Sequence, residues 1–329
     1  MRVLVVTNMW PSPERPHWGA FVKSQADSLA ARGCENTIHE IHGWRAKSEY
    51  LKALFELPRV ARACGAELVH AHFGYTGAVA VRVQLPLVVS FCGDDLLGHP
   101  KRDGRATLKS RTLVGLSCWA ARQAHGVIVK TDEMRRVIAS VPDVHVIPNG
   151  VDLARFTPAA RADARARMGW RADGDVLLFA AHAGELRKNY ALAAEVQRRL
   201  AERGLDVRLE VVHDRPHAEV VHAMNAADVL LLPSLHEGSP NVLKEAMAVN
   251  LPVVASPVGD CAERLHDVRP SAIAALDAAA FTEATAQVLA ARSRSNGREV
   301  LARTLSLEAV AERVLGVYAL ARQRFPGTR

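Results

Sequence analysis

DVLLLPSLHEGSPNVLKEAMAVNLPVVASPVGDCAE, residues 228–263, decides how the chain folds and where its chemistry gathers. Its opening DVLLLPS is an apolar run too short for a helix and closed by turn residues, as expected of a buried strand. Glu237 and Glu245 follow, with Gly238, Ser239, Pro240 and Asn241 just after the first of them. Ser239 reads as a helix N-cap and Pro240 as the first helical residue, where a missing N–H costs nothing. The helix should continue through Val242, Leu243, Lys244 and Glu245 to about Val249. Asn250 suits the left-handed position beyond a helix end, and LPVVAS starts another strand.

That order of elements has a chemical consequence. The first N–H groups of the helix, at Asn241, Val242 and Leu243, lack intrahelical acceptors and carry the positive end of its dipole. They make an anion site suited to a diphosphate. Glu237 lies just before the helix, in reach of a sugar hydroxyl; Glu245 lies more than a turn inside, in reach of a ribose. As an isolated pair, the two glutamates would be read as a dipole partner and a solvated helix residue.

The rest of the chain supplies the setting. At 329 residues and 49% hydrophobic content it can bury two cores. No apolar run reaches the length of a membrane span, and RVLVVT near the start reads as a strand rather than a signal-peptide core. Cys34, Cys64, Cys92, Cys118 and Cys261 are scattered and without a CxxC pair, which points to a reducing cytoplasm and away from structural zinc. A formal charge of +7 fits an anionic substrate or a negatively charged membrane surface. No basic run is interleaved with aromatics, so nucleic acid is not an expected partner.

MRVLVVTNMW begins with a strand apolar on both faces, and GAFVKSQADSLAARG reads as an amphipathic helix. Gly19 between them would let a backbone approach a phosphate, although many strand-to-helix turns carry glycine for steric reasons alone. Residues 52–64 are helical in pattern. AELVHAHFG is a strand ending in His70-x-His72, where no third ligand is at hand for a metal. His72, at a strand's carboxyl end, is a candidate catalytic or ligand-contacting residue, or else a histidine satisfied by backbone. LPLVVSF is another strand, with Cys92 and Gly93-x-Asp95 at its mouth. No helix start or base is evident beside Cys92 to make its thiol a nucleophile. The basic stretch 101–124 suits a surface helix or one that meets an acceptor or a membrane. In the second half, DVLLFAAHAGELRKNY places Arg187 and Lys188 between a strand and a helix.

Strand, loop, Glu-x7-Glu helix and strand, followed by Val258-Gly259 and Glu263, resemble the donor-site signature of glycosyltransferase family 4. The resemblance covers nearly the whole chain. Pro148-Asn149-Gly150-Val151-Asp152 with Phe156 matches that family's interdomain hinge. It implies an α/β, GT-B fold of two facing, Rossmann-like, doubly wound parallel sheets. Residues 1–150 would be the acceptor-side domain and 151–305 the nucleotide-sugar domain. The terminal helix, 306–329, would cross back to the first domain.

It also implies retaining, metal-independent transfer of a sugar from a nucleotide-diphosphate sugar, with no cofactor. The acceptor would be a lipid-linked or surface glycan or a small natural product, and the enzyme cytoplasmic or peripheral at the inner face of the membrane. Lys188 and Arg187 would neutralise the leaving diphosphate and Glu237 would orient the sugar. Gly19, His182, Gly238, Ser239, Pro240, Asn241, Val242 and Glu245 would complete the donor site. Two positions depart from the pattern: Cys92 stands where the family has histidine, and His182 where it has arginine. Cys92 and Asp95 fall on the acceptor side, and His213 near the base. A sugar-nucleotide 2-epimerase of the same fold, or a catalytically weakened partner subunit, is the alternative.

Overall fold

The computed structural model describes residues 1–15, 17–98 and 107–326, the side chain of His217 excepted. The chain divides into two compact units, Met1–Gly150 with Leu307–Arg329, and Val151–Ser306.

In the first unit six parallel strands are formed: β1 (Arg2–Thr7), β2 (Glu35–Glu40), β3 (Leu68–His72), β4 (Leu87–Ser90), β5 (Gly126–Val129) and β6 (Val144–Val146). Their order across the sheet is β2-β1-β3-β4-β5-β6. The connecting helices are α1 (Ala20–Ala30), α2 (Ser48–Ala63), α3 (Gly74–Ala80), α4 (Asp94–Leu97), α5 (Leu108–Gln123) and α6 (Asp132–Val137). Alternate residues of β1 serve opposite faces. Leu4 and Val6 join a core with Ala53 and Leu57 of α2, while Val3 and Val5 join one with Val22 and Leu29 of α1. This two-face burial is why β1, β3, β4 and β5 read as continuous apolar runs. Of the stretch 101–124, residues 101–106 lie outside the description, and α5 accounts for most of the rest.

In the second unit the strands are β7 (Asp175–Phe179), β8 (Val207–Val211), β9 (Val229–Leu232), β10 (Val253–Ala255) and β11 (Ala272–Ile273), in the order β11-β10-β9-β7-β8 and again all parallel. Its helices are α7 (Arg161–Met168), α8 (Tyr190–Glu202), α9 (His217–Ala226), α10 (Asn241–Ala248), α11 (Cys261–Leu265), α12 (Ala278–Ala290) and α13 (Gly297–Leu305). Val176 and Leu178 pack on one face of β7, Leu177 and Phe179 on the other. Asp228, first residue of the quoted stretch, pins the start of β9. Its carboxylate accepts from the buried Arg165 guanidinium (2.7 Å) and from the Val176 N–H (2.7 Å).

The last helix, α14 (Leu307–Arg324), belongs to the first unit, where Val310, Val314 and Val317 pack into the core that holds Val3 and Val5. After α11 and the two-residue β11 come α12, α13 and α14. Strand β2 was not expected. Its sequence, ENTIHE, is polar because it is a half-buried edge strand, which the apolar-run criterion passes over.

Candidate active site

In a parallel sheet, ligands gather at the carboxyl ends of the strands where the order of connection reverses. In the second unit that reversal falls between β7 and β9. The loops leaving these strands carry Arg187 and Lys188 in one case and Glu237 to Pro240 in the other. A backbone bond from Leu235 N–H to the Arg187 carbonyl (2.8 Å) ties them together.

Three expected residues meet there. Arg187 and Lys188 end a 3-10 turn, Leu186–Lys188. Lys188 Nζ donates to Glu237 Oε1 and Arg187 Nη1 to Glu237 Oε2, both at 2.7 Å, and Arg187 also donates to the His236 carbonyl at 3.1 Å. Burial pushes the Glu237 carboxyl up, but Lys188 and Arg187 more than offset this and hold it below the usual glutamate range. Glu185, which the sequence reading passed over, takes the other edge of the Arg187 guanidinium (2.7 Å from Nη2). Glu237 is only 7% exposed, whereas the Arg187 side chain keeps 38% of its surface open. The cations are therefore neutralised from within yet reachable by a ligand.

Helix α10 begins beside them, but its start differs from expectation. Pro240 is the N-cap and Asn241 the first helical residue, and Ser239 does not cap. Its hydroxyl is already committed, donating to Asp260 Oδ2 (2.8 Å) and accepting from Lys244 Nζ (3.2 Å). Asp260 is buried, also pairs with Arg264 at 2.9 Å, and so anchors the Gly238–Ser239 loop from the neighbouring turn. Gly259 explains the closeness of the two turns. Its φ is +54°, and a Cβ there would lie 1.9 Å from the Gly238 carbonyl oxygen. Glu263, by contrast, is an exposed partner of Arg264. Val242 lies half-buried in the first turn of α10, and the helix stops at Ala248, with Asn250 at φ +59° as expected.

Glu245 is not a solvated helix residue. Burial raises its carboxyl to about 7, with Lys244 and Arg155 opposing the rise. Across the same edge of the sheet, His182 and His213 form an edge-to-face pair with ring centroids 4.8 Å apart. His182 Nδ1 accepts from the Gly184 N–H (3.0 Å), which fixes its ring.

In the first unit the expected residues lie at the carboxyl ends of β1, β3 and β4. Gly19 is the N-cap of α1 at φ +71°, and a Cβ there would lie 2.3 Å from the Met9 carbonyl oxygen, so the turn itself requires glycine. The rings of His70 and His72 lie tilted against each other, their centroids 4.2 Å apart. His70 is satisfied, with Nδ1 at 2.7 Å from the Tyr318 hydroxyl on α14 and Nε2 at 2.8 Å from Ser90 Oγ. His72 is buried, its Nδ1 has no partner among the described residues, and burial beside His70 and Lys130 holds it neutral.

Asp95 is fully buried and accepts from the N–H groups of Gly74 (3.0 Å), Cys92 (3.0 Å) and Gly93 (2.9 Å). Burial raises it to about 6 despite these bonds. The one-turn α4 does start two residues beyond Cys92, a helix start the sequence did not show. The thiol is nonetheless pushed well up, by burial and then by Asp95. Lys130, missed in the sequence, is 1% exposed at the end of β5 and donates to the Ile147 carbonyl at 3.4 Å. Its signal was a lone cation closing the apolar run GVIV. Among the described residues no three of His, Cys, Asp and Glu gather as a metal-ligand set, and no helix is long and apolar enough to cross a membrane.

Comparison with known sequences places this geometry. The model of Glycosyltransferase Family 4 matches residues 1–155, and that of Glycosyl transferases group 1 matches residues 171–291. The chain is a glycosyltransferase of this family. A D-inositol 3-phosphate glycosyltransferase of Saccharomonospora viridis is 28% identical to the glycosyltransferase over 80% of this chain and 72% of that one. The sucrose-phosphate synthase of Thermosynechococcus elongatus superposes with a TM-score of 0.78 at 20% identity, over 97% of this chain and 98% of that one. Anabaena HepE, solved in complex with UDP, gives 0.70 at 14% identity, over 97% and 100%. These likenesses show the GT-B fold, with its two Rossmann-like sheets.

Proposed function

We propose that the glycosyltransferase moves a sugar from a nucleotide-diphosphate sugar to an acceptor, with retention at the anomeric carbon and without a metal. The observation that carries this is the pair Arg187 and Lys188 held on Glu237 beside the start of α10. A diphosphate at that helix start would draw both cations from Glu237, since it offers more charge and more acceptor oxygens. Glu237, released, would accept from a sugar hydroxyl, and Glu245 would take a ribose hydroxyl. HepE, of the same fold, is solved with UDP, which supports a nucleoside diphosphate as a ligand of this chain.

The bond from the anomeric carbon to the diphosphate oxygen breaks, and negative charge grows on the leaving group. Arg187, Lys188 and the α10 N–H groups act on that growing charge and so favour the transition state over the bound donor. The acceptor oxygen attacks from the face that the diphosphate leaves, and a diphosphate oxygen takes its proton. His182 and His213 lie on the same edge and are proposed to meet the nucleotide. Gly19 is proposed to face the donor phosphate, and His72, Asp95 and the neutral Cys92 to shape the acceptor side, in the cytoplasm.

The unusual Cys92 favours one rival, a nucleotide-sugar-binding partner subunit without turnover. A thermal-shift panel of uridine, guanosine, adenosine and thymidine diphosphates and their sugars, followed by anomeric analysis of the product, tests the proposal. Stabilisation by one nucleotide class and an α-linked product from an α-linked donor are expected. Binding without transfer to a broad acceptor panel would leave the partner subunit; conversion of the sugar-nucleotide with no acceptor present would make it an epimerase.

A further inference from the structure

An apolar cavity of about 570 Å³ opens in the first unit between α2, α3 and α5; its lining holds none of His72, Cys92 and Asp95, and its α5 wall belongs to the stretch 101–124 read above as a surface or acceptor-meeting helix. Leu51 and Leu54 line it from α2, Ala78 and Val79 from α3, Leu116 and Trp119 from α5. The surface around it is apolar too: Leu51 is 64% exposed, Phe55 66% and Trp119 42%. Contiguous exposed apolar surface of this kind marks a binding site more often than chance.

The cavity has a polar end. In a parallel sheet each of these helices starts at the carboxyl edge of the strands and runs back toward the other edge. Lys47, just before α2, Tyr75, at the start of α3, and Lys109, in the first turn of α5, therefore share the carboxyl edge. Tyr50 lies there too: Asn8, one residue past β1, donates to its hydroxyl at 3.1 Å. The Lys47 ammonium sits 4.8 Å from the centroid of the Tyr75 ring. Trp119 lies ten residues beyond Lys109 on α5, about 15 Å farther along the helix at 1.5 Å per residue. Lys47 and Lys109 are the only charged residues among the described lining. Two cations at one end and an aliphatic and aromatic remainder are complementary to a hydrocarbon chain with an anionic head.

We propose that this cavity binds the hydrocarbon chain of a phosphate-headed lipid, and that such a lipid is the acceptor or carries it. The second clause rests on the transferase reading above; the first does not. An open cleft walled by three helices, rather than a flat apolar face, favours a single lipid molecule over a bilayer surface. The phosphate would be held at the carboxyl edge by Lys47 and Lys109.

The test is calorimetric titration of the full chain with hexyl, octyl, decyl and dodecyl phosphate, all below their micelle-forming concentrations. Affinity should rise about fourfold per methylene, the value of burying one CH₂ group. Ala78→Trp, which fills the cavity, should weaken dodecyl phosphate at least tenfold. Lys109→Ala should weaken dodecyl phosphate but not dodecyl maltoside, whose head is uncharged. Nucleoside diphosphate binding, measured in parallel, should be unchanged in both variants, showing them folded. Affinity independent of chain length, or dodecyl phosphate bound equally by Ala78→Trp, would overturn the proposal. So would phosphatidylglycerol vesicles binding wild type and Ala78→Trp alike while monomeric dodecyl phosphate fails to bind. If dodecyl phosphate behaves as expected but no nucleoside diphosphate binds, the lipid site stands and the transferase reading falls.

Discussion

Both units gather charged side chains at the carboxyl ends of their strands, but they satisfy them in opposite ways. In the first, Asp95 is wholly buried and held by three backbone N–H groups, and Lys130 is sealed against a carbonyl. In the second, Arg187, Lys188 and Glu237 hold one another, with the arginine still part-open. Backbone partners cannot leave without unfolding a turn, whereas side-chain partners can be exchanged for a ligand's oxygens. The first cluster is therefore expected to govern stability and the second to govern chemistry.

The strongest way to break this contrast is Lys188→Ala. Losing one donor aimed at the developing charge should lower turnover by about 10²–10³, with the melting temperature nearly unchanged. A large loss of stability together with a small loss of rate would place Lys188 with the structural charges. Glu237→Ala sharpens the same point. It should lower turnover at least tenfold, yet leave nucleoside diphosphate affinity equal or tighter, because the carboxylate no longer competes for the two cations. Weakened diphosphate binding would contradict the exchange.

Asp95→Ala should do the reverse. It leaves three buried N–H groups without their acceptor, and each such orphan costs about 1–3 kcal/mol. Relaxation of the loop should reduce the total to about 3 kcal/mol, a fall of roughly 6–12 °C in melting temperature, with nucleotide affinity unaffected. The smallest effect concerns Glu245. Its carboxyl is raised from 4.5 to about 7 in the folded chain, so the folded state binds that proton more tightly than the unfolded state. Stability from this group is present at low pH and is lost as pH rises through that window. Glu245→Gln should flatten the decline in melting temperature between those pH values, and an unchanged slope would show that burial does not control this group.

The second unit's site was legible in sequence because its parts are local. Gly238 to Glu245 lie within one strand–loop–helix unit, and the Glu-x7-Glu spacing survives any small shift of the helix start. What was misread there depends on distant residues. Ser239 fails to cap because Asp260, 21 positions on, takes its hydroxyl's proton while Lys244 donates to the same oxygen. Arg187 and Lys188 were found as cations in a loop, but their hold on Glu237, some fifty positions away, follows only from the order of β7 and β9. The first unit was less legible. Its polar groups come from the ends of β3, β4 and β5, and β5 contributes only Lys130, which therefore had no motif to belong to. Strand β2 was missed for a related reason: an edge strand need not be apolar, and hydrophobic periodicity detects burial rather than hydrogen bonding.

The central claim is that Arg187 and Lys188 leave Glu237 to hold a diphosphate at the start of α10. Titrating a nucleoside diphosphate and the matching monophosphate into wild type and Lys188→Ala tests it most directly. Wild type should prefer the diphosphate by tenfold or more, and Lys188→Ala should lose most of that preference while still binding the monophosphate. A preference that survives the substitution in full would put the second phosphate elsewhere and contradict the account.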